Sequence, residues 1–395
     1  MLNTTQSQPN LPSANPRPGT ILHPALAITR RAIGRLPGEM LLYYGALLGW
    51  LATTGMHIPD GYLSPAASAV MFLLVLPFWV RGVRKLRRAA NARSIPLIAL
   101  LAAFSFVIMM FNVPLPGGTS GHAVGGALAA ILLGPDMAVM ALTVALVIQA
   151  FFFGDGGILA LGANCFNMAV VLPYVSYSLY QAVARRSAPG SRRRIAGALL
   201  GGWGGLTVAA LFAGIEFGLQ PLLFHTADGI PLYAPYPPAV AIPAMVIPHA
   251  LVAAVVEGAV TALVLAYLQR ARFATLEPST APAAALRPLR AAWIILAGLV
   301  LAVPLGLLAP GTAWGEWGAA ELAQHGLGFV PQGLVRLENI WGAPFARYNM
   351  PSLGNASLAY VFSAVLGVFL VVFLVWLFSI LIAEPSPANH ARQTE

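Results

Sequence analysis

Long apolar runs separated by short polar stretches dominate the pattern of this chain. Between residues 65 and 382 these runs reach or approach the roughly 20 apolar residues that a membrane-spanning helix needs. The predicted spans are 65–80, 95–113, 121–134, 136–153, 158–183, 195–219, 239–268, 291–309 and 358–382. The pattern therefore predicts an all-α, polytopic membrane protein.

Composition supports a bilayer as the solvent of this protein and orients it there. Hydrophobic residues make up 58% of the chain and charged residues only 9%, whereas about 25% of a soluble domain is charged. The net charge of +9 lies mostly in arginine clusters at 81–94, 184–194 and around the linker, which belong in the cytoplasm by the positive-inside rule. We therefore expect a multi-pass protein of the inner or plasma membrane, with Met56 and His122 extracytoplasmic, a cytoplasmic C-terminus and no nucleic-acid partner.

Changes in polarity divide the chain into five regions. They are an N-terminal extension (1–55) that is a leader or an extra helix, a membrane core (56–274), a linker (275–290), a two-helix region with an extracytoplasmic loop (291–382) and a tail (383–395).

Several kinds of chemistry are excluded by what the sequence lacks. Its one lysine, Lys85, does not follow a glycine-rich loop, so the phosphate-binding pattern G-x-x-x-x-G-K-[ST] is absent and any ATP hydrolysis belongs to another chain. Its one cysteine, Cys165, rules out a disulfide or a multi-cysteine metal site within the chain. Neither a Ser/His/Asp set nor a pair of carboxylates suggests an enzyme, and we expect no resident cofactor.

The adjacent residues Met56 and His57 carry the most specific candidate chemistry. If Met56 were a free N-terminus, its amine, the His57 amide nitrogen and the His57 imidazole could chelate one metal ion through five- and six-membered rings. His122, in the loop Gly117-Gly-Thr-Ser-Gly-His122, could supply a fourth nitrogen. Such tetragonal nitrogen ligation suits Ni(II) or Cu(II). The alternative is that His57 is an ordinary loop histidine and His122 a polar helix cap.

Three further polar residues lie inside predicted spans. His249 and Glu257 are eight residues apart in the span 239–268, on roughly one helix face. Ionisable groups inside a membrane commonly mark transport pathways, so this pair also permits a secondary transporter of another solute. Helix packing is the alternative role for both, and for Asn164, because amide side chains hydrogen-bond across helices.

Four motifs in order resemble the CbiM/NikM family, the substrate-specific (S) components of energy-coupling-factor cobalt and nickel transporters. The motifs are Met56-His-Ile-Pro-Asp-Gly-Tyr-Leu-Ser-Pro65, Phe111-Asn-Val-Pro-Leu-Pro-Gly-Gly-Thr-Ser-Gly-His122, Gly125-Gly-Ala-Leu-Ala-Ala-Ile-Leu-Leu-Gly-Pro135 and Gly154-Asp-Gly-Gly-Ile-Leu-Ala-Leu-Gly-Ala-Asn-Cys-Phe-Asn-Met168. The resemblance covers about residues 56–270.

This resemblance implies a seven-helix core and a metal ion held by Met56, His57 and His122. The transported ion would be Co(II) or Ni(II). The implied partners are a coupling membrane protein (EcfT/CbiQ-like) and cytoplasmic ATPases (EcfA/CbiO-like).

The C-terminal region resembles the two-helix NikN/CbiN-like, or PDGLE-type, module that is often fused to such a core. The similar segments are Val330-Pro-Gln-Gly-Leu334 and Ala343-Pro-Phe-Ala-Arg-Tyr-Asn-Met-Pro-Ser-Leu-Gly354. Gln332 stands where that module usually has an acidic residue.

The 55 residues before Met56 lead to a first prediction, because an amine inside a peptide bond cannot bind a metal as an amine. Arg30, Arg31 and Arg35 precede the apolar run 40–52, which has the length of a signal-peptide core, and Thr53 and Gly55 are small residues before a cut at Met56. We expect the mature protein to begin at Met56, through cleavage or through a start at that codon. Edman or mass-spectrometric sequencing of protein from its native membrane checks this. Any other N-terminus together with undiminished metal uptake contradicts it.

Overall fold

The computed structural model describes residues 56–89, 94–115, 119–270, 287–309, 315–324 and 327–382. The predicted extension 1–55, most of the linker and the tail 383–395 lie outside the described residues.

Helices occupy all nine predicted spans, with shifted ends. They are Pro65–Ala89 (α1), Ser94–Met109 (α2), Gly126–Leu133 (α3), Pro135–Ile148 (α4), Leu161–Asn164 (α5), Leu172–Ala184 (α6), Arg192–Leu223 (α7), Pro238–Pro248 (α8), Ala254–Arg270 (α9), Arg287–Ala302 (α10), Ala319–Gln324 (α11), Gln332–Leu337 (α12) and Ala356–Ile382 (α13). Wider π-helical turns extend α4 (Gln149–Phe153), join α5 to α6 (Cys165–Val171) and join α8 to α9 (His249–Ala253). Short 3₁₀ turns lie at Val303–Leu308, Ala346–Tyr348 and Pro351–Leu353.

Six helical stretches among the described residues are long and apolar enough to cross a membrane. They are Pro65–Arg88, Pro135–Phe153, Arg192–Leu223, Pro238–Arg270, Arg290–Leu308 and Ala356–Leu381, with Ser94–Met109 a shorter apolar helix. The chain is thus a multi-pass membrane protein. Its division into a seven-helix core and a two-helix module stays a prediction, as does the side on which each loop lies.

The predicted span 121–134 is wrong at its start, and the fold is not purely helical. Strands Val113–Leu115 (β1) and Thr119–Gly121 (β2) form an antiparallel hairpin, and helix α3 begins only at Gly126. Because Pro114 lacks a backbone N–H and the residue before a proline avoids helical geometry, the preceding span also ends early, at Met109. The hairpin places His122 in non-helical backbone between β2 and α3.

Helix α7 lies against α6, α8 and α9 and owes this close packing to glycine. A Cβ atom added to Gly202 would overlap the backbone of Gly258 on α9, and one on Gly258 would overlap the carbonyl of Leu199. Small residues let membrane helices approach closely where lipid supplies no hydrophobic driving force between them. This packing fixes the position of α9, which carries Glu257.

The C-terminal region packs onto the rest of the protein. Helix α13 runs against α2 and α4, and the hydroxyl of Tyr360 donates a hydrogen bond of 3.0 Å to the carbonyl of Met110. The ring of Phe106 fills the space beside Gly367. This contact brings the segment between α10 and α13 over the same end of the helices as His57 and His122.

Candidate metal centre

The segment that carries His57 is extended, so its backbone polar groups need partners outside any helix. The side chain of Asn164 binds both backbone polar groups of the next residue, Ile58. Its Oδ1 accepts the Ile58 N–H at 2.8 Å, and its Nδ2 donates to the Ile58 carbonyl at 3.0 Å. The N–H of Gly157 donates to the same carbonyl at 2.9 Å. Asn164 is therefore a backbone clamp that holds the residue next to His57.

A carboxylate further along this segment ties it to helix α5. Asp60 accepts the N–H groups of Ile158, Leu159 and Ala160 at 3.0, 2.8 and 3.3 Å, just before α5 begins. An anion is favourable there because the first N–H groups of a helix lack internal partners. His57 and Met56 are each only 2% exposed as a result.

His122 reaches the same place from the β1–β2 hairpin and is 8% exposed. Its Nδ1 lies 3.1 Å from the carbonyl of Ala123, so Nδ1 carries the proton and Nε2 keeps its lone pair. Burial, reinforced by the nearby ring of His57, lowers the pKa of His122 to about 4. The imidazole is therefore neutral near pH 7, which is the form that binds metals.

The two histidines converge on each other. His122 Nε2 lies 3.2 Å from His57 Nδ1, and the ring centroids are 5.0 Å apart. The other nitrogen of His57, Nε2, is buried without a hydrogen-bond partner. Because His122 Nε2 and Asp155 Oδ1 both face His57 Nδ1 as acceptors, Nδ1 carries the proton and Nε2 of His57 has none. Binding of one ion by both rings would require that proton to leave Nδ1, since a metal binds through a nitrogen lone pair.

Asp155 links His57 to the C-terminal region. One oxygen, Oδ1, lies 3.3 Å from His57 Nδ1, and the other accepts a hydrogen bond of 2.5 Å from the hydroxyl of Tyr348. Gln149 Nε2 donates to the same hydroxyl at 3.2 Å. Burial, together with the charge of Asp155, raises the pKa of Tyr348 well above its usual value, so the hydroxyl stays a donor.

Tyr348 is held in place by an uncommon backbone. Arg347 and Tyr348 have φ angles of 55° and 56°, in the left-handed region that non-glycine residues rarely occupy. The Tyr348 ring stacks on Phe153 at 4.8 Å between centroids. Such strain persists only where the surrounding contacts impose it.

A cavity of about 620 Å³ opens beside the histidines, and both parts of the chain line it. Among its lining residues are His57, His122, Asp155, Glu316, Arg347 and Tyr348. Glu316 accepts the backbone N–H of His57, while burial and the nearby Asp155 raise its pKa to about 8.

The other predicted candidates have backbone partners instead of a shared site. Glu257 accepts backbone N–H groups near His122, and His249 Nδ1 lies 2.7 Å from the carbonyl of Met245 on its own helix. Both are buried, at 0% and 1% exposure. Within the residues that the structure describes, no cluster of three or more His, Cys, Asp and Glu side chains is arranged to hold a metal.

Sequence reasoning did not select Asp155, Glu316 or Tyr348 as site residues. The available signal for Asp155 was its place in the motif that begins Gly154-Asp-Gly-Gly. Glu316 and Tyr348 come from a region more than 150 residues away in sequence, and no local pattern connects them to His57.

Comparison with known protein families identifies two regions of this chain. The model for CbiM, described as the cobalt uptake substrate-specific transmembrane region, matches residues 57–275, and the PDGLE domain model matches residues 289–384.

Two curated relatives extend the match to most of the chain. The fused nickel transport protein NikMN of Rhodobacter capsulatus is 53% identical over 80% of this chain and 95% of that protein. The probable fused nickel transport protein LarMN of Lactiplantibacillus plantarum is 43% identical over 81% of this chain and 96% of that protein.

A solved structure is similar to part of this chain in both fold and sequence. The crystal structure of a truncated transition metal transporter has a TM-score of 0.51 and 49% sequence identity, covering 54% of this chain and 99% of that one. The chain therefore belongs to the CbiM family of cobalt uptake substrate-specific transmembrane regions and carries a PDGLE domain at its C-terminal end.

Proposed function

We propose that this protein is the metal-capturing subunit of an energy-coupling-factor transporter and binds Ni(II) or Co(II) between His57 and His122. The observation that carries the proposal is the 3.2 Å separation of His57 Nδ1 and His122 Nε2 beside a cavity. The named relatives that share most of the chain are nickel transport proteins, so Ni(II) is the first ion to test.

The separation of the two nitrogens fits a shared metal ion. A bond between a metal and an imidazole nitrogen is about 2.0 Å long, so two such ligands lie roughly 2.8 Å apart at a right angle and about 3.3 Å apart at a tetrahedral angle. The observed 3.2 Å lies between these values and closer to the tetrahedral one, so a square arrangement requires the two nitrogens to approach by roughly 0.4 Å. The Met56 amine, once free, and the His57 amide nitrogen are the proposed remaining ligands.

In this proposal the metal ion enters the site from the extracytoplasmic side, and another protein chain hydrolyses the ATP that drives transport. The arginine-rich loops support the orientation. The absence of a phosphate-binding loop supports separate cytoplasmic ATPases and a coupling membrane protein, the partners that the family resemblance implies. In this arrangement the protein is a transport subunit and not an enzyme, and the metal is its cargo.

Secondary transport through His249 and Glu257 finds less support in the geometry. Both side chains hydrogen-bond to backbone groups, Glu257 through both carboxylate oxygens and His249 through Nδ1.

The second prediction concerns the ligands. His57→Ala and His122→Ala should each weaken Ni(II) binding at least about 100-fold, since even partners of ligands are worth 10–100-fold, and each should abolish uptake at normal membrane levels. Isothermal titration on purified protein and metal uptake by cells measure both effects. His225→Ala is the control, because His225 is an exposed histidine outside the site, with Nδ1 2.9 Å from the carbonyl of Thr226. Full uptake in either site variant would refute the proposed site.

The third prediction concerns the C-terminal contact. Tyr348→Phe removes the hydroxyl that holds Asp155 against His57 and should weaken Ni(II) binding by about 10-fold, in the range for residues that orient ligands. Tyr360→Phe is the matched control: its hydroxyl donates to the Met110 carbonyl and not to Asp155. Equal affinities in the two variants would show that the Tyr348 hydroxyl does not influence the site.

A further inference from the structure

The turn that carries His122 leads into helix α3, whose own sequence provides no cap. Gly125 stands at the N-cap with a φ angle of 77° and offers no side chain to the first N–H groups of the helix. These groups have no partner within a helix. Because residues 121–130 are buried, another part of the protein must supply the acceptor.

A single carboxylate on helix α9 supplies it. Glu257 Oε2 accepts the N–H groups of Val124 and Gly125, each at 2.8 Å, and Oε1 accepts that of Ala127 at 3.0 Å. The side chain is fully buried, at 0% exposure. All three donors are neutral backbone groups at a helix N-terminus, where a negative charge is favourable.

The anchored residues are the immediate continuation of His122. Val124 is two positions beyond it, and the carbonyl of Val124 also accepts a hydrogen bond of 2.6 Å from the hydroxyl of Ser105. Between them, Ala123 provides the carbonyl 3.1 Å from His122 Nδ1 that sets the tautomer of the ring. The turn is thus held on one side by α9 and on the other by α2, with the imidazole attached directly to it.

We propose that Glu257 is a positioning residue that fixes His122 Nε2 in the plane of the metal-binding nitrogens and so makes the site prefer Ni(II) to Zn(II). The proposal rests on the proposed function, in which His57 and His122 hold the ion. Ni(II) accepts a tetragonal nitrogen set, whereas Zn(II) has no electronic preference and settles in tetrahedral sites. A rigid His122 keeps the fourth nitrogen in the plane, and a loosened His122 lets the site relax toward a tetrahedron.

Replacement of the carboxylate by an amide of equal size tests this. In Glu257→Gln the Nε2 group faces backbone N–H donors and cannot accept from them. We expect Ni(II) affinity of the mature protein, purified with Met56 as its N-terminus, to fall by about 10–100-fold, as when a residue that orients a ligand is removed, and Zn(II) affinity to fall less. The absorption spectrum of bound Ni(II) should lose its square-planar character.

Glu216→Gln is the matched control. Glu216 is another buried carboxyl group, on α7, and accepts a hydrogen bond from Asn167 instead of from the His122 turn. This variant should keep the wild-type ratio of Ni(II) to Zn(II) affinity and the wild-type spectrum. A lower melting temperature of Glu257→Gln with an unchanged ratio and spectrum would show that Glu257 is only a helix cap, and would overturn the proposal.

A second variant keeps the test decisive if Glu257→Gln does not fold. Ser105→Ala loosens the same turn from the side of α2 and should shift the ratio in the same direction by a smaller factor. An unchanged ratio there overturns the proposal. Failure of the proposed function gives a different result. In that case the wild-type protein binds no Ni(II), or the His57→Ala and His122→Ala variants bind Ni(II) as tightly as the wild type does.

Discussion

The requirement that buried backbone groups be hydrogen-bonded governs the architecture around the two histidines. Neither segment that carries them is helical, so neither satisfies its N–H and carbonyl groups through helical bonds, and both segments are buried. Asn164 and Asp60 meet this need for the segment of His57, and Glu257 meets it for the turn of His122. Each polar side chain thereby fixes the position of an imidazole as well as the backbone it binds.

These anchors belong to helices that are themselves irregular next to the site. The π-helical turn Cys165–Val171 follows Asn164 directly, and the turn His249–Ala253 precedes Glu257 on the same continuous helix. A π-turn inserts one extra residue into a helix and so rotates the side chains that follow, and such turns occur frequently at functional sites. The close contact of Gly202 with Gly258 then holds the Glu257 helix against α7.

The PDGLE domain completes the wall of the cavity. Glu316 meets the backbone of His57, and Tyr348 meets Asp155, which in turn meets the His57 ring. The left-handed backbone at Arg347 and Tyr348 is stabilised by burial of the Tyr348 ring against Phe153. The two regions are therefore joined in space as well as in sequence, since the PDGLE domain contributes side chains around the histidine pair.

Periodicity and composition alone determined that the chain spans a membrane several times and located most ends of its apolar helices to within about five residues, because twenty consecutive apolar residues have few other stable arrangements. The sequence also singled out His57, through a possible Met56-His57 chelate, and His122, in the glycine-rich loop Gly117–His122. The hairpin before α3, the π-turns and the roles of Asn164, Glu257, Asp155 and Tyr348 were decided only by the tertiary structure. The hairpin and the π-turns are local irregularities that the apolar periodicity does not mark. The side-chain roles depend on hydrogen bonds between residues that are distant in sequence, as between Glu257 and Val124, which are 133 positions apart. Such a bond forms because burial leaves a polar group without water, and the pattern along the chain does not reveal which distant side chain takes the place of that water.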